Sequence, residues 1–143
     1  MYEMKTKTKL SANPPARLKG FKTAREAWKI VIRLCRKHGD EILSAFDEGA
    51  LETYCHIIED EKNWIEEIAR YKKAMEDFEK MRSEYATDKL FQKTMKQMQK
   101  IQKDSEAIPA KKRKLSQRLA FDLFVSNSLR QEIETEMEKL INE

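Results

Sequence analysis

Apolar residues recur every three or four positions along most of the chain, which is the spacing of amphipathic α-helices. The first such stretch opens with Thr23 followed three residues later by Glu26, the pattern of a capping box. It closes at Gly39, which predicts a left-handed turn at the end of a helix. We therefore expect a first helix between Thr23 and Gly39, with an apolar side formed by Ala24, Ala27, Trp28, Val31, Leu34 and Cys35.

The second apolar stripe predicts a long helix, from an N-cap at Asp47 to about Arg82. At about 1.5 Å per residue this helix would be roughly 50 Å long. A compact monomer of this size has a radius of gyration of roughly 14 Å, so the helix must pack on another long helix or on a second subunit. Glu61 and Lys62 interrupt the stripe, and they either fix the register between helices or lie exposed. The stripe consists of Leu51, Tyr54, Cys55, Ile58, Ile65, Ile68, Ala69 and Met75.

A third helix is predicted from Asp88 to about Asp104. Thr87 or Asp88 supplies its N-cap, because a side-chain oxygen there can accept a hydrogen bond from the first free backbone N–H groups. Pro109 lacks a backbone N–H and disfavours helix at the residue before it, so we expect the helix to break there.

A fourth helix is predicted from about Leu115 to Ile141. Its apolar positions are Leu119, Leu123, Phe124, Ile133, Met137 and Leu140. The fold class is therefore all-α: a helical hairpin with a long central helix, a basic third helix and a C-terminal helix, assembling into a homo-oligomer larger than a dimer.

The same pattern divides the chain into four segments. Residues 1–22 form a flexible basic N-terminal arm, because lysines alternate with threonines and two prolines follow. Residues 23–104 form the helical core with its long central helix and basic helix. Residues 105–114 form a basic linker, and residues 115–143 form the C-terminal helix.

The composition indicates long amphipathic helices rather than a sheet protein. Charged residues make up 38% of the 143 residues, against roughly 25% in an average domain, and glycine and proline number three each. No run of 18 apolar residues exists, so no membrane-spanning segment is expected. The two cysteines do not form a disulfide framework, which is typical of a protein in a reducing compartment.

The net charge of +4 is unevenly distributed. Residues 1–38 carry eleven bases and two acids, and residues 39–88 carry six bases and fifteen acids. Residues 89–118 carry ten bases and two acids, and residues 119–143 carry two bases and six acids. Such segregation either assigns separate roles to the segments, matches charge between subunits, or merely reflects solvated helix faces.

Five lysines of the third helix share one side of it. They step by four, three, four and three residues, so at 100° per residue they lie within about 40° of one line. The lysines are Lys89, Lys93, Lys96, Lys100 and Lys103, and the apolar residues on the opposite side are Phe91, Met95, Met98 and Ile101. A row of cations on one face suits a phosphate backbone, because each can displace a condensed counterion.

Two more basic groups extend the candidate DNA-binding set. The first follows the proline and consists of Lys111, Lys112, Arg113, Lys114 and Arg118. The second lies on the first helix and consists of Arg25, Lys29 and Arg33. A basic amphipathic helix could also lie on an anionic membrane, but the apolar side of the third helix has no tryptophan to anchor it there.

The sequence contains no motif for catalysis and predicts no cofactor. A phosphate-binding loop and a dinucleotide-binding glycine motif are both missing. Zinc is disfavoured at the only Cys and His residues, because adjacent helical residues point about 100° apart; these residues are Cys35, His38, Cys55 and His56. The acids could hold magnesium but are more typical of a solvated face; they are Glu59, Asp60, Glu61, Glu66 and Glu67.

Between residues 20 and 118 the chain resembles the small terminase subunits of tailed double-stranded-DNA phages. A helix containing Ala27-Trp28-Lys29 is followed by a turn and by Asp47-x-x-Ala50-Leu51-x-x-Tyr54-Cys55 at the start of a long helix. A lysine-rich helix, the break at Ile108-Pro109 and the basic run to Leu115 complete the resemblance.

This resemblance implies a non-enzymatic subunit that recognises viral DNA during genome packaging. It implies as partners double-stranded DNA, a large terminase subunit carrying the ATPase and nuclease, and further copies of the chain in a ring. The site of action would be the cytoplasm of the bacterial host cell. Two alternatives remain: a coiled-coil scaffold or regulatory protein that binds a protein partner, and a small enzyme with an unrecognised metal site.

Overall fold

A computed structural model of the protein describes residues 10–39, 43–44 and 47–143. These residues are all-helical, with no strand among them. A short 3-10 helix at Ala16–Leu18 precedes the helices α1 (Lys22–Lys37), α2 (Glu48–Glu79), α3 (Lys89–Glu106), α4 (Ile108–Leu123) and α5 (Asn127–Ile141).

Helix α2 is the central element, and it extends about 48 Å at 1.5 Å per residue. Helices α3 and α4 together return antiparallel along its whole length. At the far end Phe78 stacks on Phe91 with ring centroids 4.5 Å apart, and near the start of α2 Tyr54 meets Phe124 edge-on at 5.5 Å. The predicted helical hairpin with a long central helix is confirmed.

The core lies at one end of the hairpin, where α1 and α5 pack against the first half of α2 and against the end of α4. Trp28, Leu51 and Ile133 are at most 1% exposed there. Burying such side chains contributes roughly 1.5–3 kcal/mol each, so this cluster carries most of the stability. Residues 63–106, named the distal hairpin here, extend beyond it and bury a smaller group: Met75, Phe91 and Met95.

Of the predicted flexible arm of residues 1–22, residues 1–9 lie outside the described residues. From residue 10 onward the chain is not a free arm. Leu10 and Leu18 are buried in the core, and the indole Nε1 of Trp28 donates a hydrogen bond to the Ser11 carbonyl at 2.9 Å. The burial of these two leucines holds the segment against the helices.

The predicted capping of α1 by Thr23 is wrong. The helix begins one residue earlier, at Lys22, and its N-cap position makes no side-chain hydrogen bond. The carboxylate of Glu59, on α2, instead accepts hydrogen bonds from the backbone N–H groups of Thr23 at 3.0 Å and Ala24 at 3.3 Å. A carboxylate from a neighbouring helix therefore satisfies the free donors and the positive end of the α1 dipole.

The next three residues of α2, 60–62, also make polar contacts with neighbouring helices. Asp60 pairs with Lys112 at 3.5 Å, and Glu61, which is 2% exposed, pairs with Arg113 at 2.9 Å. Lys62 donates a hydrogen bond from Nζ to the Leu140 carbonyl at 2.8 Å, near the C-terminal end of α5. The polar interruption of the apolar stripe therefore joins α2 to α4 and α5 and fixes their register.

The junction of α1 and α5 has its own charged contact. Glu132 on α5 lies 3.1 Å from His38 Nε2 and 3.3 Å from Lys37 Nζ. The hydrogen bond from His38, followed by that from Lys37, lowers the pKa of the Glu132 carboxyl. Gly39 follows with a φ of 114°, so the predicted glycine turn at the end of α1 is confirmed.

The prediction of a basic linker at residues 105–114 is wrong, because α4 begins at Ile108. Pro109 occupies the first turn of that helix, where its missing N–H costs nothing since no intrahelical partner exists there. Only Ala107 separates the two helices, and its φ of −78° and ψ of −16° stay in the right-handed helical region.

The prediction of one helix from Leu115 to Ile141 is also wrong. Phe124 is extended, and the Ser126 side chain accepts a hydrogen bond from the Leu129 N–H to start α5. Apolar residues keep their helical spacing before and after this turn, so the sequence pattern did not reveal the turn. The Ser126 cap is the local signal that separates α4 from α5.

Candidate nucleic-acid interface

Helix α3 presents its five lysines to solvent. Asp88 caps the helix, as predicted, by accepting hydrogen bonds from the N–H groups of Leu90 and Phe91. Phe91 and Met95 pack against α2 and set the rotation of the helix. The opposite side then faces outward, and all five lysines are exposed: Lys89, Lys93, Lys96, Lys100 and Lys103.

The row of cations continues into α4. Because Ala107 keeps a helical conformation, the phase of α3 carries on into α4 at about 100° per residue. Lys111, Lys114 and Arg118 fall on the same line as the five lysines, and all three are exposed. The buried residues support this continuity, since Ser116 and Ala120 lie on the same side of the helix as Phe91 and Met95.

We name these eight cations the basic face: Lys89, Lys93, Lys96, Lys100, Lys103, Lys111, Lys114 and Arg118. From Lys89 to Arg118 there are 29 steps of the helix, so the face extends about 44 Å. Within the part of the chain that the structure describes, none of the eight forms a salt bridge. Solvent ions can therefore gather at these cations, and a polyanion could displace them.

Two of the predicted DNA-binding residues, Lys112 and Arg113, point away from this face. Lys112 pairs with Asp60, and Arg113 donates hydrogen bonds from Nε to both carboxylate oxygens of Glu61, at 3.2 and 2.9 Å. The hydrogen bond to Glu61 raises the pKa of the Arg113 guanidinium despite its partial burial. These two side chains hold α4 to α2.

The predicted residues of α1 form a separate basic surface. Lys29 and Arg33 are exposed and Arg25 is half-buried, with Lys29 lying 3.8 Å from Glu26. Helix α1 packs mainly on α2 and α5. The structure therefore does not bring these three residues together with the basic face.

The candidate metal ligands and nucleophiles have other surroundings. Among the residues that the structure describes, no three His, Cys, Asp or Glu side chains come together to hold a metal ion. Cys35 and Cys55 are both buried, and burial raises the pKa of the Cys55 thiol far above neutral pH. Burial likewise raises the pKa of the Tyr54 phenol, so both groups stay protonated.

The aromatic residue Phe121 also lies at this interface and was missed by the sequence analysis. It stands three residues after Arg118, so it falls on the line of the basic face, and it is 66% exposed. The guanidinium of Arg130 lies over its ring, 4.5 Å from the centroid. Continuing the helical spacing of α3 through Pro109 would have placed Phe121 on this face, but Pro109 had been interpreted as a break.

Comparisons with known proteins add no relative. No family model matches the chain, nor does any curated protein or solved structure. Of the helices in the described residues, none combines the length and the apolar character needed to cross a membrane.

Proposed function

We propose that this protein binds double-stranded DNA through the basic face of α3 and α4. The observation that carries the proposal is the continuity of eight exposed cations along about 44 Å of helix, none of them paired with an acid of the described residues. Solvated lysine faces are common, and lysines on a helix can pair with acids three or four residues away. Most acids of this chain lie on α2 and α5 instead, whereas α3 and α4 carry only Asp104, Glu106 and Asp122.

The physical basis is counterion release. DNA carries one phosphate per roughly 1.7 Å of helix axis, and each cation that replaces a condensed counterion increases affinity. Because lysine binds phosphate as a flexible point charge, the face reads no sequence by itself. It positions the protein on the duplex, and other groups would supply any sequence preference.

The biological role we propose is that of a small terminase subunit, as the resemblance of residues 20–118 implies. Such a subunit has no hydrolytic activity, assembles as a homo-oligomeric ring in the cytoplasm of an infected bacterium, and presents viral DNA to the large subunit that carries the ATPase and nuclease. The basic face supports the DNA-binding part of this proposal, and the burial of Cys55 and Tyr54, which keeps both groups protonated, supports its non-enzymatic part.

Replacing three lysines of the basic face, Lys93→Gln, Lys96→Gln and Lys100→Gln, should weaken DNA binding by roughly 100-fold at 0.1 M salt. The slope of log affinity against log salt should become shallower by about 0.9 for each phosphate contact removed. Fluorescence anisotropy with a labelled 30-base-pair duplex at several salt concentrations measures both quantities. Glutamine has nearly the helix propensity of lysine, so α3 should remain intact.

The matched control makes the same change of charge away from the basic face, with Lys72→Gln, Lys73→Gln and Lys80→Gln on α2 and the turn after it. These residues are also exposed. This control should bind DNA within about twofold of the wild type because its phosphate contacts are unchanged. Equal losses in both variants would show a non-specific charge effect and would overturn the assignment of the basic face.

Self-association has a candidate surface beside the basic face. Leu90 is 73% exposed and Ile101 is 52% exposed on one flank of α3. Next to Ile101, the side chains of Trp64, Ile68 and Tyr71 line a groove of about 230 Å³ between α2 and α3. Exposed apolar residues beside an apolar groove favour contact with another copy of the chain.

Light scattering at micromolar concentration should therefore find several chains per particle. The double variant Leu90→Gln with Ile101→Gln should shift the particles toward the monomer, because it removes exposed apolar area without touching the core. A wild-type protein that stays monomeric at every concentration would contradict the proposed homo-oligomer and with it the ring.

The same groove favours a second candidate function, a scaffold or regulatory protein that binds a helical partner. An amphipathic helix could place apolar side chains between Trp64 and Ile101. The lysines would then serve only solubility. The two functions differ in the salt titration: a scaffold of this kind would show no difference between the lysine variant and its control.

A further inference from the structure

Phe121 is an exposed aromatic side chain at the end of a row of cations. Exposed apolar residues need no explanation singly, but this ring occupies the position on the basic face that follows Arg118. The spacing from Lys111 through Lys114 and Arg118 to Phe121 is three, four and three residues, which keeps all four side chains on one side of α4. A ligand that follows the cations along the helix therefore meets the ring next.

The ring is held in place before any ligand arrives. Arg130 lies over one of its faces at 4.5 Å from the centroid, and the same guanidinium donates hydrogen bonds to the Phe124 carbonyl at 3.0 Å and to the Asn127 Oδ1. These bonds fix Arg130 at the turn between α4 and α5. With one face covered and the side chain 66% exposed, Phe121 still presents its remaining surface to solvent.

We propose that Phe121 stacks on an unpaired base of DNA whose adjoining phosphates lie on the basic face. This inference rests on the proposed function and adds a ligand feature to it: a single-stranded segment, at a duplex end or a gap, beyond the duplex bound by α3. Aromatic side chains next to a positively charged track bind single strands in this way, because every base has a π-face. A base within a duplex is covered by its neighbours on both faces and offers no such surface.

The geometry explains why the ring and the cations belong together. From Arg118 to Phe121 the helix rises about 4.5 Å, so the ring stands within one helical turn of the last cation of the basic face. A strand whose phosphates contact Lys114 and Arg118 would therefore bring its next base to the ring. The positive charge of Arg130 behind the ring also favours the anionic strand.

The test compares Phe121→Ala and Phe121→Trp with the wild type on three DNA probes. These are a blunt 30-base-pair duplex, the same duplex with an eight-nucleotide overhang, and a single-stranded 30-mer. Phe121→Ala should weaken binding of the overhang and single-stranded probes by roughly 5- to 150-fold, the range for loss of one stacked base. Binding of the blunt duplex should change by less than about twofold, and Phe121→Trp should bind all three probes at least as well as the wild type.

A matched control removes a different exposed phenylalanine. Phe21 is 42% exposed, packs edge-on against His56, and lies at the start of α1, away from the basic face. Phe21→Ala should leave the affinity for all three probes unchanged. Circular dichroism should show the helix content of both alanine variants to be that of the wild type.

The outcomes separate this inference from the function on which it rests. If the wild type binds DNA but Phe121→Ala binds the overhang probe equally well, the stacking proposal is wrong and the basic face stands. Equal weakening on the blunt and overhang probes would also overturn it, since the ring would then contact the duplex or a second protein chain. A wild type that binds none of the probes would overturn both proposals.

Discussion

Phe124→Ala should destabilise the protein by about 4 kcal/mol, within the range for replacing a buried aromatic side chain with alanine. The Phe124 side chain is fully buried and meets Tyr54 edge-on, with ring centroids 5.5 Å apart. Its removal leaves a cavity at the point where the end of α4 contacts α2. Equilibrium unfolding in urea, followed by circular dichroism, measures the change in the free energy of unfolding.

The control for this variant is Phe121→Ala, which removes the same side chain three residues earlier. Because Phe121 is 66% exposed and its main contact is the Arg130 guanidinium, its loss should change the free energy of unfolding by no more than about 1 kcal/mol. A small difference between the two variants would mean that α4 does not pack on α2 as described, and the phase of the basic face would then be wrong as well.

Arg113→Ala should destabilise the protein by about 3 kcal/mol. The reason is that it leaves the Glu61 carboxylate, whose side chain is 3% exposed, buried without its partner. The value lies at the lower end of the range for buried pairs because the Arg113 side chain keeps 36% of its exposure. Thermal and urea unfolding of the variant would measure this loss.

Two comparisons isolate the cause. Lys112→Ala removes a neighbouring cation whose partner Asp60 is half-exposed, and it should cost no more than about 1 kcal/mol. The double variant Glu61→Met with Arg113→Met should recover much of the stability, since it removes the buried charge as well as its partner. Equal unfolding free energies for Arg113→Ala and Lys112→Ala would contradict the assignment of Arg113 to the fold.

Arg113 also shows where the sequence is insufficient. In the sequence it stands in a run of four bases, and nothing local separates it from Lys111 or Lys114. In the structure Lys111 and Lys114 are exposed, whereas Arg113 turns inward to Glu61. The two partners are 52 residues apart, so only the packing of α4 on α2 could identify the pair.

The helix ends that involve Glu59 and Pro109 were likewise not decided by the local sequence. The capping box at Thr23 was a sound local pattern, yet the Glu59 carboxylate from another helix took its place. Pro109 was interpreted as a break, although proline is also favoured in the first turn of a helix. At each site two interpretations were compatible with the local sequence, and tertiary contacts with α2 selected one of them.

The sequence by itself determined the features that depend on neighbouring residues. Helical periodicity predicted the all-α fold, the long central helix and the exposed row of lysines on α3, and the Asp88 cap followed from the same local rules. These succeed because helix geometry fixes which side a residue occupies within a few turns. Only the tertiary structure decided that α3 and α4 share one phase, that Lys112 and Arg113 face inward, and that Phe121 joins the basic face. Each of these depends on how α4 packs against α2, and packing across about 50 residues of chain leaves no trace in a local pattern.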